Sequence, residues 1–344
     1  MSAFSGIAAA PPSFSIDAVS EAVADQFGRR GVLRPLVSER DQNFRLETED
    51  GRRFLVKVVG AAELPATTDF QVLALRHLEE AGGVIAPRVV PALDGAPCGH
   101  IDAGGSGHRL RLLSWVEGEQ LEALGIDVAV AARFGGALGR LDRALARIAY
   151  EGPNPVLLWD LQRVCELRRV IACIDDGAIR ARVAAVIDDY ESAVEPAEES
   201  LAHQVIHADA NPENVLACNG DIGFIDFSDI VRAPRVFDLG IAASYLRANG
   251  DDALALIRPF VAGYHAVAGL DAAEARVLFD LVRARLATSI TLLYWRLQDR
   301  PESDEYRRKS LQLESNASYF LAALDSIGRR EFTKEINNII NYAD

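Results

Sequence analysis

Apolar positions follow two rhythms along this chain. From Val32 to Val59 they come in short alternating runs, the two-residue period of half-buried strands. Val32–Val37, Asn43–Thr48 and Arg53–Val59 read as strands, the last two joined by a hairpin turn at Glu49-Asp50-Gly51. Ahead of them, Ser15–Phe27 has a capping serine, helical spacing and a stop at Gly28. After them, Asp69–Ala81 is helical and ends at Gly82-Gly83. Pro87–Pro91 is extended, and Leu110–Val116 is an apolar strand ending in Glu117-Gly118. Beyond Gly125 the spacing becomes helical, over Val128–Ala149, Leu157–Ile174, Ile179–Val194, Phe237–Ala248, Ala253–Val267, Ala272–Leu297, Ser303–Ile327 and Lys334–Ile340. The predicted class is α+β. A short flexible tail (1–13) precedes a small antiparallel sheet unit (14–116) and a larger, mainly α-helical unit (117–344).

One stretch breaks the helical regime, His203 to Asp229. Gln204–Ile206, Val215–Ala217 and Gly223–Phe227 are strand-sized, separated by Pro212 and by a turn at Asn219-Gly220. Such a hairpin is expected to set Asp209, Asn214 and Asp226 at one end of a small sheet. Three oxygen-bearing side chains at one point suit Mg²⁺, which takes one or two protein ligands and leaves the rest to phosphates and water. The spacing H-x-D-x-x-x-x-N, followed by an Asp after an apolar pair, has the order of a kinase catalytic loop and metal-binding Asp. His203 and His207 also give the histidine spacing of a zinc protease. Gln204 stands where its general base belongs, and Val205-Ile206 fits a strand rather than a helix. Gly104–Gly107 reads GGSG, which is not a hydrolase nucleophile elbow.

The wording HADANPENVL, then FIDF and PRVFDLG, resembles the aminoglycoside phosphotransferase and choline kinase superfamily, small-molecule kinases with a protein-kinase-like fold. The resemblance runs from about Val32 to Leu297. It implies two lobes and transfer of the γ-phosphoryl group of ATP or GTP to a hydroxyl. Asp209 is then the base or hydroxyl-positioning group, Asn214 and Asp226 the metal ligands, and Asp238 a brace for the loop. Lys57, on the third strand in FLVKVV, is the candidate partner of the nucleotide phosphates. The acid that orients this lysine in relatives falls by spacing on Gln71, a departure, with Asp69 two residues earlier as the other candidate. Ser38–Phe44 stands where the phosphate-covering loop should be, without its glycines, so Ser38 and Asn43 join the nucleotide-binding candidates, as does Trp115 at the expected hinge. SERDQNF resembles the same loop in hydroxylysine kinases and in kinase-like domains fused to class III aminotransferases.

Composition narrows the partners. A net charge of -14 over 344 residues disfavours nucleic acid and favours a cationic substrate. No apolar run approaches a membrane span. The four cysteines form no C-x-x-C pair and read as reduced thiols, giving an expected cytoplasmic location. Trp159 and Asp160 offer an aromatic face and a carboxylate to an ammonium group. Arg285 is the candidate for a substrate carboxylate. 5-Hydroxylysine is the expected acceptor, for which GTP is the donor by resemblance. Homoserine, choline or ethanolamine, and aminoglycosides stay open, as does a non-catalytic nucleotide-binding regulator, whose only support is Gln71.

Overall fold

The hairpin at Asp50-Gly51 sets the first unit. In the computed structural model, which describes residues 11–38, 40–103, 106–248, 250, 252–298 and 305–341, Phe44 faces Val56 and Asn43 faces Lys57. Most of the expected tail, residues 1–10, lies outside the described residues, as do Gly104 and Gly105. By its Cα packing the chain divides into two units. The first holds residues 1–118, 150–155 and 223–228, and the second holds 119–149, 156–222 and 229–344.

The first unit runs α1 (Ile16–Phe27), β1 (Gly31–Leu36), β2 (Gln42–Thr48), β3 (Arg53–Val58), α2 (Pro65–Ala81), β4 (Val89–Val90), β5 (Gly99–Ala103) and β6 (Ser106–Ser114). The sheet order is β1-β2-β3-β6-β4, with β5 also paired to β6. Alternation decides its faces. Phe44, Leu46, Phe54, Val56, Leu110 and Leu112 pack with Val19, Val23 and Phe27, three residues spaced four apart on one face of α1. Asn43, Lys57 and Arg111 form one cross-strand row, in register from β2 through β3 to β6. Helix α2 starts four residues before the predicted Asp69, because Pro65 is pre-organised for the first helical turn. The two later segments join this unit through identifiable contacts. Tyr150 stacks on Phe70 at 3.6 Å, and the Phe224 amide donates to the Ile85 carbonyl at 2.8 Å.

The second unit contains β7 (Glu119–Gln120), α3 (Leu121–Leu124), α4 (Val128–Leu145), α5 (Gly177–Ala193), α6 (Glu195–Glu198), β8 (His203–Ile206), β9 (Val215–Cys218), β10 (Asp221–Phe224, which continues into the first unit), β11 (Val231–Pro234), α7 (Val236–Ala243), α8 (Ile257–Ala268), α9 (Ala272–Leu297) and α10 (Glu305–Asn341). Gly135 brings α4 against α8, since a Cβ there would lie 1.8 Å from the Phe260 carbonyl oxygen. Helix α9 is buried on nearly every side, with a polar set of Asp280, Arg283 and Arg285 inside it.

Two expectations need correction. The three strand-sized runs do not share one sheet. β9 and β10 form the hairpin, with Asn219 and Gly220 both at positive φ, but β8 pairs with β11, which the pattern did not predict. Leu157–Ile174 is not an α-helix. It holds two 3₁₀ segments, Leu161–Arg169 and Ile171–Cys173. A three-residue turn aligns i and i+3, and Arg163 and Glu166 pair across that spacing at 2.7 Å.

Candidate active site

In the first unit Lys57 is held by three groups. Its Nζ lies 2.8 Å from Asp41 Oδ2, donates to Ser228 Oγ at 2.6 Å, and lies 3.8 Å from Asp226 Oδ1. Ser228 in turn donates from Oγ to Asp226 Oδ1. Burial works against the charged amine, but attraction to Asp41 and then Asp226 outweighs it and holds the Lys57 pKa above its ordinary value. Neither expected orienting residue performs that task. Asp69 pairs with Arg109. The Gln71 carbonyl oxygen accepts from Arg111, and its amide donates to the Ser228 carbonyl and to Glu63, each at 3.2 Å. Arg111 is the second buried cation of this face, with its pKa lowered by burial and partly supported by Glu63.

The other nucleotide candidates also lie in this unit. Asn43, opposite Lys57, has a buried side-chain oxygen with no hydrogen-bond partner among the described residues. Ser38 Oγ accepts from the Asp41 amide at 3.4 Å. Trp115 follows β6 half-buried, with Arg45 over its ring at 6.0 Å.

In the second unit the loop after β8 presents Asp209. Ala208 takes a left-handed conformation, φ 61°, because the amides of His207 and Ala208 both turn to Asp238, at 2.7 and 2.6 Å. Asp209 Oδ1 accepts from Arg285 at 2.7 Å and its Oδ2 from Asn214 Nδ2 at 2.9 Å. The same Asn214 nitrogen also donates to the Asp209 carbonyl. With its amide nitrogen so engaged, Asn214 presents its oxygen, the donor a hard cation takes. Asp226, in the first unit, is also left-handed (φ 57°), and its carboxylate is half-exposed. Both donors fit Mg²⁺ chemistry in type.

Among the substrate candidates, the Arg285 Nη groups donate to Asp209, the Trp159 carbonyl and the Tyr245 hydroxyl. Burial opposes the Arg285 charge, but Tyr245 and Asp209 outweigh it and raise the pKa. Asp160 caps the first 3₁₀ segment through the Gln162 amide, and burial raises its pKa. The carboxylate beside Trp159 is Asp229, which accepts from the indole N–H at 2.7 Å. Asp41, Arg111, Ser228, Asp229 and Tyr245 were therefore missed. Asp41 was within reach, because the hairpin register that puts Asn43 opposite Lys57 puts Asp41 two residues further along that face.

Behind the loop lies a buried acid pair. Asp142 Oδ2 accepts from Tyr264 at 2.6 Å, while Asp142 Oδ1 has no N–H or O–H donor among the described residues. Burial, then the neighbouring Asp238 charge, raises the Asp142 pKa well above its ordinary value, which favours a proton on Asp142 shared with Asp238. An unfolded Asp142 loses that proton near pH 4. Above that pH the folded state binds more protons, so this contribution is full at low pH and is lost as pH rises towards the folded pKa. Asp142→Asn should keep the bond to Tyr264 and remove up to about 1.4 kcal/mol per pH unit from the slope of stability. Urea unfolding of both proteins at pH 5, 6.5 and 8 measures it. Parallel stability lines would refute the shared proton.

The chain matches the model of the APH phosphotransferase enzyme family over residues 32–278. It is 27% identical over 317 residues to a hydroxylysine kinase of Danio rerio, covering 86% of this chain and 88% of the relative. Among solved structures it resembles an amicoumacin kinase in complex with AMP-PNP, Ca²⁺ and Ami, with TM-score 0.71, 15% identity, and coverage of 92% of this chain and 95% of that one. A microcompartment-associated aminopropanol kinase gives TM-score 0.66 at 18% identity, covering 91% and 98%. These likenesses show a protein-kinase-like fold, an antiparallel sheet unit with a mainly helical one. No helix among the described residues is long and apolar enough to cross a membrane. With a match that runs from the first strand of the sheet into α9, the chain belongs to the APH phosphotransferase enzyme family.

Proposed function

We propose that this phosphotransferase is a small-molecule kinase that moves the γ-phosphoryl group of ATP or GTP to a hydroxyl of a small amine-bearing acceptor, with 5-hydroxylysine as the preferred one. The observation that carries the reading is Asp209, a carboxylate fixed between Arg285 and Asn214 at the end of a strained loop. A carboxylate so held orients an incoming hydroxyl, and Lys57 receives the nucleotide phosphates. Mg²⁺, when bound, neutralises charge on those phosphates, and Asn214 and Asp226 are the donors assigned to it. A non-catalytic regulator rested on Gln71 alone, and Gln71 is engaged with Arg111.

The amine preference is supported by the net charge of -14, by Asp229 at Trp159, and by the hydroxylysine kinase relative. The test is a nucleotide-consumption screen with ATP and GTP in parallel. kcat/KM should rank 5-hydroxylysine above homoserine, choline and kanamycin-type amines, with GTP at least equal to ATP. Preference for choline or an aminoglycoside would sink the acceptor and leave the kinase class standing. Because Arg285 holds Asp209, Arg285→Ala should cut kcat by about tenfold or more on every acceptor, with or without a carboxylate. A loss confined to amino-acid acceptors would return Arg285 to substrate binding.

A further inference from the structure

We propose that Asp41 is the positioning residue of Lys57, so that the acid which holds the phosphate-binding ammonium comes from the loop before β2 and not from helix α2. The inference rests on the kinase reading for what Lys57 does. It rests on geometry alone for what Asp41 does.

Both oxygens of Asp41 are committed. Oδ2 lies 2.8 Å from Lys57 Nζ, and Oδ1 accepts from the Gly60 amide at 2.8 Å. The loop that carries Asp41 is seated against the end of β3. A Cβ on Gly60 would lie 2.4 Å from the Arg40 carbonyl oxygen, so only glycine allows this approach. The next residue is pinned as well. The Gln42 side chain exchanges two hydrogen bonds with the Phe14 backbone, both 2.8 Å. Asp41 and Lys57 are 6% and 4% exposed. A carboxylate this enclosed is part of the framework, not a loose side chain resting where phosphate will go.

The row of cations explains why the acid moved. Lys57 and Arg111 are direct partners in the ladder between β3 and β6, so two positive charges share one buried face. An acid on α2 would be drawn to both. Gln71 accepts from Arg111 without adding charge. Asp41 reaches Lys57 from the β2 side. The charged groups around the ammonium are then Asp41 from the loop, Asp226 after β10 and Arg111 on β6, whose own charge is supported by Glu63 before α2. This arrangement turns the apparent defect at Gln71 into half of a paired exchange.

The opposite view, that Asp41 competes with phosphate for Lys57, predicts the reverse result on removing its charge. The experiment is calorimetric titration of Mg·AMP-PNP into wild type, Asp41→Asn and Asp41→Asn/Gln71→Glu, with kcat for each. Asp41→Asn should weaken AMP-PNP affinity at least tenfold and lower kcat further. The double variant should recover at least threefold in affinity, a rescue that a merely structural role for Asp41 does not give. Lys57 is one of three lysines, with Lys309 and Lys334, so its ¹⁵Nζ ammonium resonance can be followed without any turnover. That resonance should be protected from solvent exchange in wild type and lost in Asp41→Asn. Tighter or unchanged AMP-PNP binding by Asp41→Asn, or an unchanged Lys57 resonance, overturns the assignment. A protein that keeps the Asp41-dependent resonance yet phosphorylates no hydroxyl compound overturns the kinase reading instead.

Discussion

Asp209→Asn should lower kcat by a factor of about 10² to 10⁴, the range for a positioned acid–base group, while nucleotide affinity changes only a few-fold. Asparagine keeps an acceptor for Arg285, and Asn214 keeps its bond to the Asp209 backbone carbonyl, so the loop retains its shape. What disappears is the charge that draws the hydroxyl proton in the transition state. The substitution also leaves a buried Arg285 without its carboxylate, and breaking such a pair costs up to about 3–5 kcal/mol. Asp209→Asn/Arg285→Met removes that stranded cation. It should regain thermal stability without regaining activity, which separates chemistry from folding. If nucleotide KM rose in Asp209→Asn while kcat stayed level, Asp209 would be a binding residue.

Removal of the metal should be as severe. EDTA should abolish turnover and Mg²⁺ restore it. Asp226→Asn should lose about a thousandfold or more at millimolar Mg²⁺, corresponding to the several kcal/mol that a metal ion contributes to charge stabilisation. Asparagine is the right substitution because Asp226 sits at φ 57°, a conformation asparagine tolerates and alanine does not. Ser228 can still donate to its side-chain oxygen, and the position is half-exposed. Its melting temperature should therefore stay close to that of wild type. A folded Asp226→Asn protein with full activity would remove Asp226 from the metal set.

Local spacing made much of this legible. The run from His207 to Asn214 and the hairpins at Gly51 and Gly220 are encoded within a few residues, where turn chemistry and strand period act directly. The contacts that fix these side chains are long-range. Arg285 meets Asp209 across 76 positions and Lys57 meets Ser228 across 171. Nothing in VRARLATS distinguishes an arginine that pairs with Asp209 from one that points elsewhere. Asp142 was equally silent, since its meaning depends on Asp238 and Tyr264 converging from two other helices. The 3₁₀ segments were misread because apolar spacing of three and four residues does not separate that helix from the α form.

The threading of the chain bears on how the protein is made. Residues 223–228 belong to the unit that begins the polypeptide, and they bring Ser228 and Asp226 to Lys57. A nascent chain that has reached Gly118 holds every strand of the large sheet but not these groups. They emerge about 100 residues later, roughly 5 to 20 s of synthesis. During that interval the Lys57 amine has Asp41 as its principal acidic neighbour, and Ile85 lacks the amide of Phe224. The amino-terminal unit therefore cannot mature vectorially. Its completion waits on residues 223–228, so a ribosome-bound or proteolytic fragment ending near Gly118 should be markedly less protected from protease than the same residues in the finished chain.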